Sequence, residues 1–565
     1  MTVGADDIRC MARLLGIQIF EEDVDAIAAI VTAVRQTVDR AHASGLEDID
    51  PFIPSGPSPG ASWSARPPQT SGVPAARHAD VLASEATDLT ALDIAHLAEL
   101  IRCREISPVE VTRAYLAHIE ALNGSLRAYI TVTADRALAE AAAAESEIAR
   151  GGGRGPLHGV PIAYKDMILT RGIRTTFHSR VFADCVPDRD AAVVERLSTA
   201  GTIMLGKANT YELGAGDGDL FGLARNPWDA TRQPGGSSSG SGVAVAAGLA
   251  AGAVGTDAGG SIRVPAAFCG VVGLKPTYGW VSRYPEGWCT VTSIGPMTRT
   301  ALDAALMMDA MAGPDPRDEA GAGVPASAFA ARLTGHIRGV RVGVADEESW
   351  PPIDAEVQAA VRAAVRALED LGARVEPVSL PHAALSEVLA MVIAHVECYG
   401  RHRRFLVDRA AEIGTFFRRA LTASQFYTAR DYMVAQRVRR LVLRDFMAAH
   451  AHVDAILTPT VPYPPFRFGE TALALAGGEV NPRTGMGRFT RWSNLTGFPA
   501  VSVPCGFTSV GLPVAFQLMG RAYEDGLLLN IAHAYQQATA WHRRRPPLAH
   551  LPASTAPSSS GKLPA

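Results

Sequence analysis

The chain is poor in cysteine and in net charge, and each shortage excludes a class of protein. Its 565 residues include 7 cysteines, too few and odd in number for a small disulfide-held scaffold, and a reducing compartment is favoured. A net charge of −4, without a basic stripe, argues against a nucleic-acid partner. With 47% hydrophobic residues, the composition is also far from that of a disordered protein.

Long apolar runs are lacking as well. No stretch of roughly 18 consecutive apolar residues occurs, so we expect no membrane-spanning segment and no membrane partner. The first residues, MTVGADDIRCM, have neither the basic start nor the apolar core of a signal peptide. Together these absences predict a cytoplasmic protein.

Lysine is scarcer still. Among the 53 basic residues, the lysines are Lys165, Lys207, Lys275 and Lys562. A coding bias toward arginine explains this scarcity, but the bias has a chemical consequence. Arginine keeps its proton inside a protein, whereas a buried lysine can lose it. A lysine retained inside a motif is therefore a candidate for chemistry that needs a neutral amine.

The remaining composition divides the chain into four parts. Apolar residues recur at helical spacing in EEDVDAIAAIVTAVRQTVDRA, so residues 1–48 are predicted to form a small helical unit. Such a unit cannot build a core alone and must dock on the rest of the chain or on a second copy. Residues 49–85, rich in Pro, Ser and Gly, predict a linker. Residues 86–545 are predicted to form one long domain, and residues 546–565 a disordered tail.

Helical and strand patterns alternate through the long domain. HGVPIAYKD predicts a buried strand that ends at Lys165, DAAVVERLSTAG a helix, and TIMLGKAN the strand that follows it. Further on, GVRVGVAD predicts a strand and residues 356–372 a helix. This alternation predicts an α/β fold in which helices cover both faces of a sheet.

The stretch from Gln233 to Ser282 has the most unusual composition. GGSSSGSG alone could be a flexible linker, but the apolar run VAVAAGLAAGAV follows at once, and linkers do not lie inside buried apolar sequence. GTDAGGS then predicts a tight turn with several free backbone N–H groups around Ser261. Such a turn suits the stabilisation of a developing oxyanion.

Short motifs of other enzyme families are either absent from the sequence or lack the structural context that they require. No GxxxxGK[ST] occurs, which excludes a P-loop. GSSSG matches the nucleophile elbow, but the polar, proline-broken NPWDATRQPG stands where that motif needs a strand. SxxK occurs only in the tail, at residues 559–562. His450 and His452 form a pair without further ligands, so no metal site is predicted.

Three long motifs in this stretch resemble the amidase signature family: GGSSSGSGVAVAAG, GTDAGGSIRVPAAFCG and GLKPTYGWVS. The resemblance extends to GVPIAYKD and ARNPWDATRQPGG before them, and to ILTPTVP, NLTGFPAVSVPCG and GLPVAFQLMGR after them. It covers most of residues 90–545. It implies the fold of that family, a central mixed twisted β-sheet covered by helices on both faces.

The resemblance also implies the roles of individual residues. Ser261 matches the nucleophile, Ser237 the bridging serine that follows a cis peptide bond, and Lys165 the base. The implied oxyanion hole consists of the backbone N–H groups of Ala258, Gly259, Gly260 and Ser261, and the implied supporting residues are Ser238, Asp257 and Arg263.

The residue types agree with this chemistry. A serine hydroxyl is a weak nucleophile until a base takes its proton. Lys165 can be that base only when neutral, which burial without a carboxylate partner promotes. Asp166 is adjacent in sequence, but successive residues of a strand point to opposite faces, so it need not pair with Lys165. No metal or organic cofactor is needed.

The predicted activity is hydrolysis of a carboxamide C–N bond in a small molecule through an acyl-enzyme, with anilides, esters and carbamates as further substrates. Residues 1–48 weakly resemble the small subunit of tRNA-dependent amidotransferases and carboxybiuret hydrolases. Three alternatives therefore stay open: a carboxybiuret-type or carbamate hydrolase, a glutamine-dependent amidotransferase subunit, and a non-catalytic binding protein of the same fold.

Two features bear on these alternatives. A glutamine pocket needs a carboxylate for the substrate's ammonium group, yet residues 481–494 contain no acidic residue. They do contain Arg483, Arg488 and Arg491, which suit either an acidic substrate or a solvated surface. Residues 1–48 could also join two copies of the chain, so a homodimer is predicted.

Overall fold

The computed structural model describes residues 2–42, 46, 49–51, 88–218, 220–285, 289–321, 323–325, 328–345 and 352–548. The predicted linker, 49–85, and the predicted tail, 546–565, lie almost entirely outside these described residues.

In the described part of the chain, one large mixed sheet of 11 strands forms the centre of the molecule, and a separate hairpin makes a second sheet. The strands are β1 (Tyr129–Val132), β2 (Pro161–Lys165), β3 (Ile203–Ala208), β4 (Gly252–Asp257), β5 (Val272–Lys275), β6 (Ser293–Thr298), β7 (Arg341–Ala345), β8 (Arg374–Val378), β9 (Ala455–Pro459), β10 (Leu473–Leu475), β11 (Gly478–Val480), β12 (Ala500–Phe507) and β13 (Pro513–Gly520). Their order in the large sheet is β1-β3-β2-β4-β6-β5-β12-β13-β9-β7-β8, and β10 pairs with β11.

Helices flank the sheet, as the alternating pattern predicts. They are α1 (Ala5–Leu15), α2 (Val24–His42), α3 (Ile94–Arg102), α4 (Pro108–Leu126), α5 (Ala134–Ala149), α6 (Ala192–Thr199), α7 (Ser239–Ala246), α8 (Arg263–Cys269), α9 (Ala301–Met311), α10 (Ala355–Asp370), α11 (Ser386–Asp408), α12 (Thr415–Ser424), α13 (Ala429–His450), α14 (Pro482–Gly485), α15 (Arg491–Thr496) and α16 (Asp525–Ala538). The predicted mixed α/β fold is therefore confirmed.

The centre of the sheet positions the chemistry. β2 runs parallel to both β3 and β4, and every residue of these three strands is buried. Strands buried on both faces are typical of a sheet covered by helices on each side. Because β2 and β4 are parallel neighbours, their carboxyl ends lie at the same edge, and Lys165 at the end of β2 reaches Thr256 of β4. Ligands of α/β sheets bind in the crevice outside such carboxyl ends.

The N-terminal helix α2 packs against α1 and against this chain's own α12, and Ala423 of α12 and Phe426 just after it join the apolar cluster of α1 and α2. The buried carboxylate of Asp23 pairs with two guanidinium groups of α12, at 2.8 Å from Arg418 Nε and 2.6 Å from Arg419 Nε. Burial of one apolar face and this double ion pair together explain why a unit too small for its own core is folded here.

The helix at 383–408 is long and apolar enough, by length and composition, to cross a membrane. A core helix passes the same test, and α11, which forms most of this segment, packs against α2, α12, α13 and α15. One such helix is weak evidence for a membrane span.

Candidate active site

Lys165 is fully buried at the end of β2, and both of its side-chain partners are hydroxyl groups. Its Nζ donates to Ser237 Oγ at 2.6 Å and to Thr256 Oγ1 at 2.8 Å. Burial lowers the pKa of Lys165 to about 7, although the charge of Asp257 opposes the shift. A lysine with this pKa exchanges its proton near neutral pH, as a general base must.

Ser237 is held by the turn that precedes α7. The peptide bond between Gly236 and Ser237 is cis, and a Cβ on Gly236 would lie 2.2 Å from the ring of Tyr211, so only glycine fits there. The carbonyl of Ser237 accepts hydrogen bonds from Tyr211 N at 3.1 Å and from Thr210 Oγ1 at 3.0 Å. These contacts fix the backbone, so the hydroxyl of Ser237 faces Lys165.

Ser261 is half-buried and lies in the turn after β4, tied to the serine run by its backbone. Its carbonyl accepts from Ser238 N at 3.1 Å, while Ser238 Oγ donates to the carbonyl of Thr256 at 3.2 Å. Among the described residues, no hydrogen bond joins the hydroxyls of Ser237 and Ser261. The structure thus brings Lys165 and Ser237 into direct contact and Ser261 next to them through Ser238.

The turn of residues 258–261 carries the predicted oxyanion hole, and Ala258 and Gly259 are half-buried as Ser261 is. Gly260 has a φ of +119°, and a Cβ there would lie 2.2 Å from Thr490 Oγ1, so glycine is required. Its N–H donates to Asp257 Oδ1 at 2.7 Å. Because the Gly260 N–H already donates to Asp257, the backbone N–H groups available to an oxyanion are those of Ala258, Gly259 and Ser261.

Asp257 and Arg263 form a fully buried ion pair beneath the turn, with Nε 3.0 Å from Oδ2. Asn494 donates to the carboxylate at 2.9 Å, and Arg263 donates to Gln517 Oε1 at 3.0 Å. Burial alone would raise the pKa of Asp257, but the Arg263 guanidinium and the Asn494 amide hold it below its ordinary value. The carboxylate therefore stays charged, and it orients the N–H groups of Gly260 and Ile262.

Other titratable groups near the site have structural partners. Asp166 Oδ2 accepts from Thr176 N at 2.9 Å, and its partners lie away from Lys165. Lys207 donates to the carbonyl of Ile168 and to Thr175 Oγ1. Lys275 donates to the carbonyl of Pro276.

Cys269 is fully buried, and burial raises the pKa of its thiol, which disfavours the nucleophilic thiolate. Among the described residues, no group of three or more His, Cys, Asp or Glu side chains could hold a metal ion.

Sequence reasoning missed several residues that shape the site. Thr256 precedes Asp257 in GTDAGGS. Strand alternation predicts that the side chains of these two residues point to opposite faces, but it does not predict that Thr256 contacts Lys165. No local signal exists for Asn494, Gln517 and Thr490, because each contacts the signature motif from more than two hundred residues away.

A buried lysine bonded to two hydroxyls thus lies beside a turn whose N–H groups at Ala258, Gly259 and Ser261 have no acceptor among the described residues. The protein-family model described as Amidase matches residues 110–529, which is most of the chain. The chain therefore belongs to the amidase signature family, and it is an enzyme that hydrolyses amide C–N bonds.

Comparison with individual proteins agrees with this assignment. A glutamyl-tRNA(Gln) amidotransferase subunit from Moorella thermoacetica is 42% identical over 484 residues, covering 80% of this chain and 97% of that protein. A bacterial aryl acylamidase of the amidase signature family is 28% identical, with a TM-score of 0.74 over 80% of this chain and 97% of its own. A structure from a vestigial complex that reveals the origins of an s-triazine catabolic enzyme is 32% identical, with a TM-score of 0.75 over 79% and 98% of the two chains.

Proposed function

We propose that this chain cleaves a carboxamide C–N bond in a small molecule through an acyl-enzyme on Ser261, with Lys165 as base and Ser237 as the bridge between them. The observation that carries the proposal is the 2.6 Å contact between Lys165 Nζ and Ser237 Oγ, without a carboxylate bonded to the amine. A lysine paired with a carboxylate would hold its proton, whereas this one can accept a proton near neutral pH.

The reaction then follows from the order of these groups. Ser261 Oγ attacks the amide carbonyl, its proton passes to Ser237 Oγ, and the proton of Ser237 passes to neutral Lys165. The hydroxyl of Ser237 must turn toward Ser261 for this transfer. Lys165 returns a proton through Ser237 to the leaving nitrogen, the C–N bond breaks, and water hydrolyses the ester by the same route.

The oxyanion of the tetrahedral intermediate is stabilised by the N–H groups of Ala258, Gly259 and Ser261. These groups have no other acceptor among the described residues, and Asp257 fixes the turn that presents them. Donors fixed before the reaction need no reorganisation as charge develops. Because the oxyanion is common to acyl transfers, anilides, esters and carbamates, including carboxybiuret-type substrates, can use the same hole.

A glutamine-dependent amidotransferase subunit is the second candidate, and the 42% identical relative favours it. Glutamine carries an ammonium group that needs an acidic partner near the reacting amide. Within residues 481–494, which cover the turn of Ser261, the charged side chains are arginines. The carboxylates of Asp217 and Glu387 lie against this segment but are already paired with Arg483 and Arg488, which argues for an independent hydrolase rather than a glutaminase. A non-catalytic binding protein stays the third alternative, and turnover of any amide by the chain would exclude it.

A homodimer through residues 1–48 stays a prediction, as does a cytoplasmic location. The apolar face of α1 and α2 is used within the chain, but Leu14 and Leu15 remain 78% and 62% exposed, and they could join a second copy.

A substrate panel tests the proposal directly. The purified chain alone is assayed with an aliphatic amide, an aryl amide, an anilide, a carbamate, a biuret derivative and glutamine. We expect turnover of at least one amide or anilide, and glutamine turnover at least about tenfold slower, because an unpaired ammonium is repelled there. The Ser261→Ala protein gives the background. Hydrolysis of glutamine alone, and only after addition of amidotransferase partner subunits, would favour the second candidate.

A further inference from the structure

Arg491, the first residue of α15, lies against the turn that carries Ser261. A Cβ built on Gly259 would be 3.7 Å from Arg491 Cγ and 3.9 Å from its Nε. Gly487 faces the same guanidinium, where a Cβ would lie 3.1 Å from both Nε and Cζ. The absence of a side chain at Gly487 therefore leaves room for the guanidinium beside the oxyanion turn.

The guanidinium of Arg491 has no acidic partner among the described residues. Its Nη2 donates to the carbonyl of Thr484 at 3.1 Å, while its Nε is buried without a hydrogen-bond partner. The two neighbouring arginines differ in this respect: Arg483 pairs with Asp217 at 2.7 Å and Arg488 with Glu387 at 3.1 Å. A buried guanidinium nitrogen without an acceptor is costly unless a ligand supplies one.

The position of Arg491 is deep, yet its side chain is only half-buried. Burial lowers its pKa, and its charge adds to the burial that lowers the pKa of His395 to about 4. His395 is thus neutral at pH 7, and the carboxylate of Glu387, whose charge acts on Arg491, is itself paired with Arg488. Since Ser261 and Gly259 are half-buried as well, the accessible parts of these residues are expected to share one cleft.

We propose that Arg491 binds a carboxylate of the substrate, so that the enzyme prefers amides bearing an anionic group within a few bonds of the scissile carbonyl. This inference rests on the proposed amide hydrolysis at Ser261. Consecutive Cα atoms are 3.8 Å apart, so Gly259 and Ser261 are at most about 7 Å from each other. A planar guanidinium binds a carboxylate through paired hydrogen bonds, which suits the free edge of this side chain.

Matched substrate pairs test the inference and show on which side of the amide the anion lies. Succinyl and butyryl 4-nitroanilides differ by a carboxylate on the acyl side. Butyranilides with a para-carboxylate or a para-carboxamide differ on the amine side. We expect the wild type to prefer the anionic member of one pair, and Arg491→Met to lose about 10- to 100-fold in kcat/KM for it, mainly through KM. The neutral member should change less than about threefold.

Two further variants separate binding from folding. Arg491→Lys keeps the positive charge and should recover part of the preference, whereas Arg483→Met removes an arginine already paired with Asp217 and should leave the preference intact. Succinate and succinamide binding to the Ser261→Ala protein, measured by calorimetry, reports the subsite without turnover. We expect tighter binding of succinate, lost in the added Arg491→Met change.

The outcomes distinguish the inference from the proposed function. Turnover of both pairs without preference for an anion, or equal losses on anionic and neutral substrates in Arg491→Met, would overturn the carboxylate subsite and leave amide hydrolysis intact. Absence of turnover together with Arg491-dependent succinate binding would overturn the proposed function and keep the subsite. Equal binding of succinate and succinamide would also overturn the subsite.

Discussion

Replacing Ser261 by alanine is expected to lower kcat/KM for the best amide by at least about 10⁴-fold, because the change removes the proposed attacking hydroxyl. The hydroxyl of Ser261 has no hydrogen bond among the described residues, so its loss should leave the melting temperature unchanged. Initial rates and thermal unfolding of the two proteins measure both effects. Ser239→Ala, in the same serine run, is the matched control and should keep at least a third of the wild-type activity.

The losses of activity caused by replacing the base and by replacing the nucleophile should not be additive, because the two groups act as one unit. Lys165→Met removes the proton acceptor and is expected to cost about 10²- to 10⁴-fold. Adding it to Ser261→Ala should lower the rate little further. Turnover of Ser261→Ala within tenfold of the wild type would assign the attack to another group.

Replacing Arg263 by methionine is expected to cost about 3–5 kcal/mol in the free energy of unfolding, the second large effect. The side chain is fully buried, and its removal leaves the carboxylate of Asp257 charged without its cation. The turn that presents the N–H groups should also loosen, so activity falls with stability. Urea unfolding followed by tryptophan fluorescence measures the first effect, and initial rates measure the second.

A double variant distinguishes the stability lost with the ion pair from the stability lost with side-chain packing. With Asp257→Asn added to Arg263→Met, no buried charge is left uncompensated, so the combined loss should be smaller than the sum of the two single losses. Arg102→Met is the exposed control, since Arg102 and Glu99 are 70% and 50% exposed and their pair should contribute at most about 1 kcal/mol. Additive losses in the double variant would contradict the account of a buried pair.

The local pattern of the sequence was enough to predict the strand that carries the lysine and one of the helices that cover the sheet. Continuous apolar residues before Lys165 predicted the buried strand β2, and helical periodicity over 356–372 predicted α10, which spans Ala355–Asp370. These elements are governed by neighbours in sequence, through burial of both strand faces or of one helix face. The roles of Ser237 and Ser261 came from long motifs, because periodicity carries no information about chemistry.

Contacts between distant segments could not be predicted in this way. Asn494 of α15 reaches Asp257, and Thr490 just before α15 reaches Gly259, because the following strand β12 pairs with β5 in the sheet and so brings this segment back to the signature motif. The use of the Gly260 N–H by Asp257 depends on the φ of +119° in the turn, which a run of glycines permits but does not specify. Such details follow from packing rather than from composition.

The rate at which a fluorophosphonate labels the protein, followed by peptide mass spectrometry between about pH 5 and 9, tests the central claim most directly. The account predicts one adduct, on Ser261, and a rate that rises about tenfold per pH unit below pH 7 and then levels, because only neutral Lys165 accepts the proton. The Lys165→Met protein should be labelled far more slowly, and its labelling rate should not show this rise with pH. An adduct on another residue, or labelling of Ser261 at the same rate and with the same pH dependence in Lys165→Met, would contradict the lysine–serine–serine relay.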